Sequence, residues 1–393
     1  MKLARLAVVA AAAACVLAVL QARQAPTSGS PLPSTVVTRG GLVFVSGILP
    51  PEGEPGDVAV HATQVLVKLR TRLETAGSSL DRVVSTSVYL ANASDFGAMN
   101  AVWAKHWPAS PPARTTVVAR LPMPGARVMV SAVAAARDVE RAIVLPQGWP
   151  APASPFSYAV RAGDMLFLSG LVPRRGADNA LVAGDIEAQT GAVFENAEAI
   201  LKAAGFGLTD VVSARVFLTD GAVFDRMNAA YRTRFPSDPP ARATVVTPLV
   251  SSDFHIEITM VAAKGAARSA VLTPAADGSP GRMNPNLSSA IRVGPRLFLS
   301  GMLGVLPGNA ADVAGQTTET LNRLERTMSA AGFRWPDVAE SVVYVTDVGD
   351  ARSVLELFEA RTGRRAWMGA GVVVGTGLVS PEGRVEIMLT ASK

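Results

Sequence analysis

Cysteine and histidine are nearly missing from this sequence, which holds one cysteine, Cys15, and three histidines, His61, His106 and His255, in 393 residues. A single cysteine excludes an intrachain disulfide, and histidines so far apart assemble neither a zinc cluster nor a Cys/His nucleophile pair locally. Charge is sparse as well. Charged residues make up 18% of the chain and the net charge is +5, with Lys and Arg scattered rather than gathered into runs or interleaved with an aromatic stripe. Nucleic acid is therefore not an expected partner. No GxSxG elbow, Walker A loop or HExxH occurs, and GAGVVVG at 369–375 has the wrong spacing for a dinucleotide loop. No cofactor and no metal is called for.

Apolar residues account for 49% of the chain, enough for buried cores, and the length suits two to four domains. The N-terminus, MKLARLAVVAAAAACVLAVLQARQAP, begins with Lys2 and Arg5 and runs uncharged from Leu6 to Leu20. That is the layout of a secretory signal, with small residues for cleavage at Ala18 and Ala22. A signal peptide over 1–24 and an exported chain, periplasmic or secreted, are expected. Left uncleaved, or acylated at Cys15, the same segment would hold the chain at a membrane.

Self-similarity organises the remainder. GLVFVSGILP at 41–50 recurs as DMLFLSGLVP at 164–173 and PRLFLSGMLG at 295–304, each an apolar strand running into Ser-Gly. A helical pattern follows from Asp57, Asp185 and Asp312, stopped by Gly77, Gly205 and Gly332. Next come β-type runs, DRVVSTSVYLAN, DVVSARVFLTD and DVAESVVYVTD, then a shorter helix that aligns Asn100 with Asn228, and two closing strands. Three tandem domains are expected, at 30–137, 142–264 and 272–393. The Pro/Gly/Ala-rich stretches 142–155 and 272–285 read as linkers or extended entry segments.

The phrases VSG, DVV, MN, PPAR and IEI in this order resemble the RidA family, the YjgF/UK114 imine and enamine deaminases, three times over. The resemblance implies three α+β domains of chorismate-mutase-like fold, each a mixed sheet with two helices. Relatives are homotrimers with clefts at subunit boundaries, so the chain resembles a fused pseudo-trimer, expected to be a monomer. It further implies hydrolysis of a small 2-imino acid to a 2-oxo acid and ammonia. In the family an arginine of the PAR phrase binds the substrate carboxylate, and a glutamate of the IEI phrase activates water. In the second domain these are Arg242 and Glu257. The first has Arg114, but Met129 stands at the glutamate position; the third has Glu386, but Gly371 stands at the arginine position.

Alternation alone puts Arg242 and Thr244 on one face of a strand and Glu257 and Thr259 on one face of the next. If PLVSSD makes a turn, Arg242 falls opposite Glu257, where an ion pair and a catalytic pair have the same geometry. An arginine fork suits a carboxylate, and a neighbouring glutamate can serve as general base toward an electrophilic C=N bond. Arg114, without a glutamate, is expected to be a secondary anion binder or a relic, and Glu386 a structural or solvated residue. The resemblance adds Ser169, Gly170 and Thr244 as backbone donors to the substrate, Asn228 as a cleft residue, and Phe156 where relatives carry tyrosine. Ser169 and Gly170 also read as a simple strand end, and Asn228 as a helix brace. The position of Phe156 falls near Pro33 or Ser34 in the first copy and at Leu287 in the third. A non-catalytic binding module for small carboxylates, or a structural pseudo-enzyme, is the other reading.

Overall fold

In a computed structural model that describes residues 36–265, 267–362 and 370–393, each repeat folds as a sheet covered on one face by two helices. The expected signal segment 1–24, Cys15 and the Pro33 or Ser34 position lie outside the described residues. The first repeat comprises β1 (Val36–Arg39), β2 (Leu42–Ile48), α1 (Val58–Thr75), β3 (Val83–Leu90), α2 (Phe96–His106), β4 (Ala113–Val118) and β5 (Val128–Ala135). The second comprises β6 (Arg141–Val144), β7 (Ala159–Ala162), β8 (Met165–Leu168), α3 (Ile186–Ala203), β9 (Val211–Leu218), α4 (Phe224–Arg232), β10 (Ala241–Val246) and β11 (Ile256–Ala263). The third comprises β12 (Arg268–Val271), β13 (Ala290–Val293), β14 (Arg296–Leu303), α5 (Val313–Ala330), β15 (Val338–Val345), α6 (Ala351–Thr362), β16 (Ala370–Gly375), β17 (Gly377–Leu378) and β18 (Val385–Ser392).

The local signals act as expected. Asp57, Asp185 and Asp312 cap α1, α3 and α5, their carboxylates accepting from first-turn amides. Gly77, Gly205 and Gly332 follow the helix ends at φ of 78°, 77° and 76°, a conformation that strains any residue with a Cβ. The first segment read as a linker is joined to a sheet, because β6 overlaps its start and adds an edge strand to the second repeat; β12, just ahead of 272–285, does the same for the third.

The expected hairpin of β10 and β11 does not form. β9 lies between them, parallel to β10 and antiparallel to β11, so Arg242 stands opposite Ala214 and Glu257 opposite Phe217. Their side chains also leave the sheet on opposite faces. Ile256 and Ile258 of β11 pack into the core beneath the helices, turning Glu257 away from it, whereas Ala241 and Ala243 of β10 face the other repeats. Consecutive strands pair often but not always. Here α4 carries the chain across to make β9 and β10 parallel, as a crossover connection permits.

The uncovered faces of the three sheets meet one another. Phe44, Phe167 and Phe298, which occupy the same place in the three copies, share one apolar core; Tyr89, Phe217 and Tyr344 share a second. Burying each such ring contributes roughly 1.5–3 kcal/mol. Equivalent backbone contacts then close a ring. Val118 N–H donates to Pro248 O, Val246 pairs with Gly377, and Gly375 pairs with Arg120, at distances of 3.0 Å for the first and 2.8 and 3.0 Å for the two bonds of the last. The first repeat thus docks on the second, the second on the third, and the third on the first. The described residues of the three repeats form one compact pseudo-trimer.

Candidate active site

β4 delivers Arg114 to the boundary between the first and second repeats, where the second repeat clamps its backbone. The Arg114 N–H donates to Ser169 Oγ at 2.8 Å, that hydroxyl donates to Ser157 O at 2.6 Å, and the Gly170 N–H donates to Arg114 O at 3.1 Å. The guanidinium lies among the rings of Phe96, Trp103 and Phe156, 5.6, 6.0 and 5.8 Å from their centroids. Its Nη1 donates to Met99 Sδ at 3.8 Å. Burial lowers its pKa to about 10, leaving it charged at neutral pH.

Glu257 reaches the same place from β11 of the second repeat. It is 3% exposed, and its Oε1 accepts from the Thr116 N–H at 3.3 Å. Burial pushes its carboxyl up to about 8, against the opposing pull of that N–H and of the Arg114 charge. No direct ion pair joins the two residues. A Cβ on Gly170 would sit 1.8 Å from Glu257 Oε1, so glycine is what leaves room for this carboxylate. Arg114, Thr116 and Glu257 open into a cavity of about 370 Å³. Trp149, Phe156, Tyr158 and Phe254 furnish apolar walls, and Arg174 stands in the wall built by the loop after β8.

The second boundary repeats this pattern in closed form. The Arg242 N–H donates to Ser300 Oγ at 2.7 Å, and Glu386 of the third repeat accepts from the Thr244 N–H beside it. Arg242 is 1% and Glu386 2% exposed. Asn228 Oδ1 takes Arg242 Nη2 at 2.7 Å and the Tyr231 ring stacks at 4.6 Å, while Arg242 Nε and Nη1 and Glu386 Oε2 are buried without a hydrogen-bond partner. At the third boundary both functional positions are replaced. Gly371 pairs with Ser341 where Arg114 pairs with Thr86, and Met129 pairs with Tyr89 where Glu257 pairs with Phe217.

The sequence residues are thus redistributed. Arg242 and Glu257 do not form a pair; Arg114 faces Glu257 and Arg242 faces Glu386, each across a boundary. Arg114 is not left without a glutamate, nor Glu386 without an arginine. The backbone donors expected at Ser169 and Gly170 are already engaged, with Tyr158 O and Arg114 O, and that of Thr244 with Glu386. Asn228 belongs to the closed boundary. Phe156 lines the open cavity. Sequence reasoning missed Thr116, Trp149, Tyr158, Arg174 and Phe254. The alignment of Thr116 with Thr244 was a signal for the first; nothing local marks the others.

Comparison with known proteins accords with this architecture. The family model described as endoribonuclease L-PSP matches residues 22–136, 147–264 and 282–393. A RutC family protein of Sulfurisphaera tokodaii is 42% identical over 116 residues, 30% of this chain and 93% of its own length. The 3-aminoacrylate deaminase RutC of Acinetobacter baylyi is 38% identical over 120 residues, 30% of this chain and 95% of its own length. Each relative is thus the size of one repeat. Over 91% of this chain and 99% of its own, the crystal structure of a chorismatase superposes with a TM-score of 0.54 at 18% identity, a likeness of fold alone.

Proposed function

The chain belongs to the RidA family, whose model is described as endoribonuclease L-PSP, and we propose that it hydrolyses a 2-imino acid to a 2-oxo acid and ammonia in the cavity between its first and second repeats. The observation that carries this reading is the convergence of Arg114 and Glu257, from different repeats, on one open cavity. A relative named as a 3-aminoacrylate deaminase supports the same class of chemistry.

Arg114 takes the substrate carboxylate with its guanidinium fork, a charge-assisted contact made strong by the aromatic surroundings. That places the C=N carbon beside Glu257, whose Oε1 is oriented by the Thr116 N–H. The Glu257 carboxylate accepts a proton from water as the water oxygen bonds to the imine carbon. Glu257 returns that proton to the nitrogen, giving the neutral carbinolamine, then takes the hydroxyl proton and passes it to the nitrogen as the C=O bond forms, the C–N bond breaks and ammonia leaves. The balance is imine plus water to ketone plus ammonia. A group with a pKa near the working pH suits both directions of transfer, and the raised carboxyl of Glu257 has that property. An RNA-cleaving reading has less support, because the net charge is only +5 and Lys and Arg are scattered along the sequence rather than gathered into a run that would follow successive phosphates.

The test is release of 2-oxo acid from imines generated in situ by an amino-acid oxidase. Wild type should exceed the uncatalysed rate, and Arg114→Ala and Glu257→Gln should fall well below wild type. Tight binding of 2-oxo acids without turnover would point instead to a carboxylate-binding module.

A further inference from the structure

The cavity beside Arg114 and Glu257 is also lined by Arg174 and Arg175, two cations for which the deamination chemistry has no use. We propose that the substrate is a 2-imino acid with a second anionic group at its far end, received by Arg174, and an apolar stretch between the two charges. This rests on the deaminase reading of the same cavity.

Arg174 is half-buried in the cavity wall, its guanidinium over the Phe254 ring at 5.5 Å and its Nη1 donating to Asn179 O at 2.8 Å. It has no acidic partner among the described residues, whereas its neighbour Arg175 is tied to Asp178 at 2.8 Å. The loop that presents it is held firmly. Asn196 of α3 donates to Arg174 O and accepts from the Gly176 N–H at 2.9 Å, and the Arg175 N–H donates to Ala180 O at 2.9 Å. An unneutralised arginine kept on a braced loop, its charge facing a concave site, is an anion receptor in the making.

The repeats act as internal controls. Counting from the shared Ser-Gly phrase, Pro51 and Val305 occupy the place of Arg174 in the first and third copies. The cation therefore is not part of the common fold. It occurs at the boundary where the site is open, and the equivalent wall of the closed second boundary has Val305 instead. The cavity that Arg114 and Arg174 share is also lined by Trp149, Phe156, Tyr158 and Phe254, which favour a hydrocarbon or planar middle. The cavity of about 370 Å³ falls in the range of roughly 300–1,000 Å³ that encloses ligands larger than a three- or four-carbon acid.

The experiment compares imines formed in situ from 2-aminobutanoate and from 2-aminoadipate, with wild type, Arg174→Gln and Arg174→Lys. Wild type should favour the diacid imine by tenfold or more in kcat/KM. Arg174→Gln should lose roughly 10- to 100-fold on the diacid, as expected of one charge-assisted contact, and change little on the monoacid; Arg174→Lys should recover part of the loss. Equal handling of the two imines by wild type, or an equal loss on both in Arg174→Gln, overturns the proposal while leaving the deaminase reading intact. If wild type turns over neither imine, the deaminase reading fails, and calorimetric titration with 2-oxoadipate and 2-oxobutanoate decides the diacid question. Tighter binding of the diacid that disappears in Arg174→Gln then supports Arg174 as its receptor; indifferent binding rejects it.

Discussion

Arg114 of the first repeat and Glu257 of the second face the same cavity, and each finds its counterpart only across the boundary between repeats. Glu257 shares a sheet with Arg242, yet the two leave that sheet on opposite faces. The same relation joins Arg242 to Glu386, and the boundary that lacks one partner lacks the other as well.

The two boundaries should therefore respond differently to substitution. Arg114→Ala is expected to raise KM and lower kcat/KM roughly 10- to 100-fold, and Glu257→Gln to lower kcat roughly 10²- to 10⁴-fold. Arg242→Ala and Asn228→Ala, at the closed boundary, should leave kcat/KM for the same imine within about threefold of wild type, provided circular dichroism shows the fold intact. A steady-state comparison of the four variants checks this, and loss of activity confined to Arg242→Ala would reverse the assignment of the site.

A second expectation concerns pH. Glu257 must be ionised to accept the proton of water, and burial raises its carboxyl to about 8. kcat/KM should then rise with pH and level off above about 8. Glu257→Asp, with a shorter reach, should retain a pH-dependent residue of activity; Glu257→Gln should show a flat profile. A wild-type profile that is level from pH 6 to 9 would count against Glu257 as the base.

Gly170 and Gly301 offer a matched pair. A Cβ at either position would sit 1.8 Å from the Oε1 of its glutamate, Glu257 or Glu386, and would displace that carboxylate. Gly170→Ala should depress turnover at least tenfold with a minor change in melting temperature, because the side chain that yields is the functional one. Gly301→Ala, which also meets Ala243 at 2.9 Å, should lower the melting temperature more and turnover less. Thermal denaturation beside activity assays separates the two outcomes.

Stability should also depend on pH through Glu386. Its folded carboxyl is raised to about 8 from an ordinary value of 4.5, with burial the leading cause. Between those values the folded state holds more protons than the unfolded chain, so this group's contribution is fully present below about 4.5 and is lost as pH rises through about 8. Glu386→Gln cannot ionise. It should match wild type near pH 4.5 and melt several degrees higher at pH 9; equal melting temperatures at both values would show that the carboxyl is not raised.

Local interactions made much of this architecture legible. Asp57, Asp185 and Asp312 announced helix starts, Gly77, Gly205 and Gly332 announced helix ends, and the Ser-Gly strands announced the threefold repeat, because capping and backbone conformation depend on a few adjacent residues. The candidate site was legible only in its parts. Arg114 with Met129, Arg242 with Glu257 and Gly371 with Glu386 look like one complete and two broken pairs when each copy is considered alone. Taken around a ring, the same six residues make two complete pairs and one wholly lost.

By itself, then, the sequence determined the repeat, its helices and strands, and the residue types available for chemistry. Only the tertiary structure decided which arginine meets which glutamate, since β9 separates β10 from β11 and turns Arg242 and Glu257 to opposite faces. It alone also decided that one boundary is open and the next closed, because the walls of the cavity come from distant segments, such as Trp149 and Phe254, brought together by packing of whole sheets rather than by any local preference.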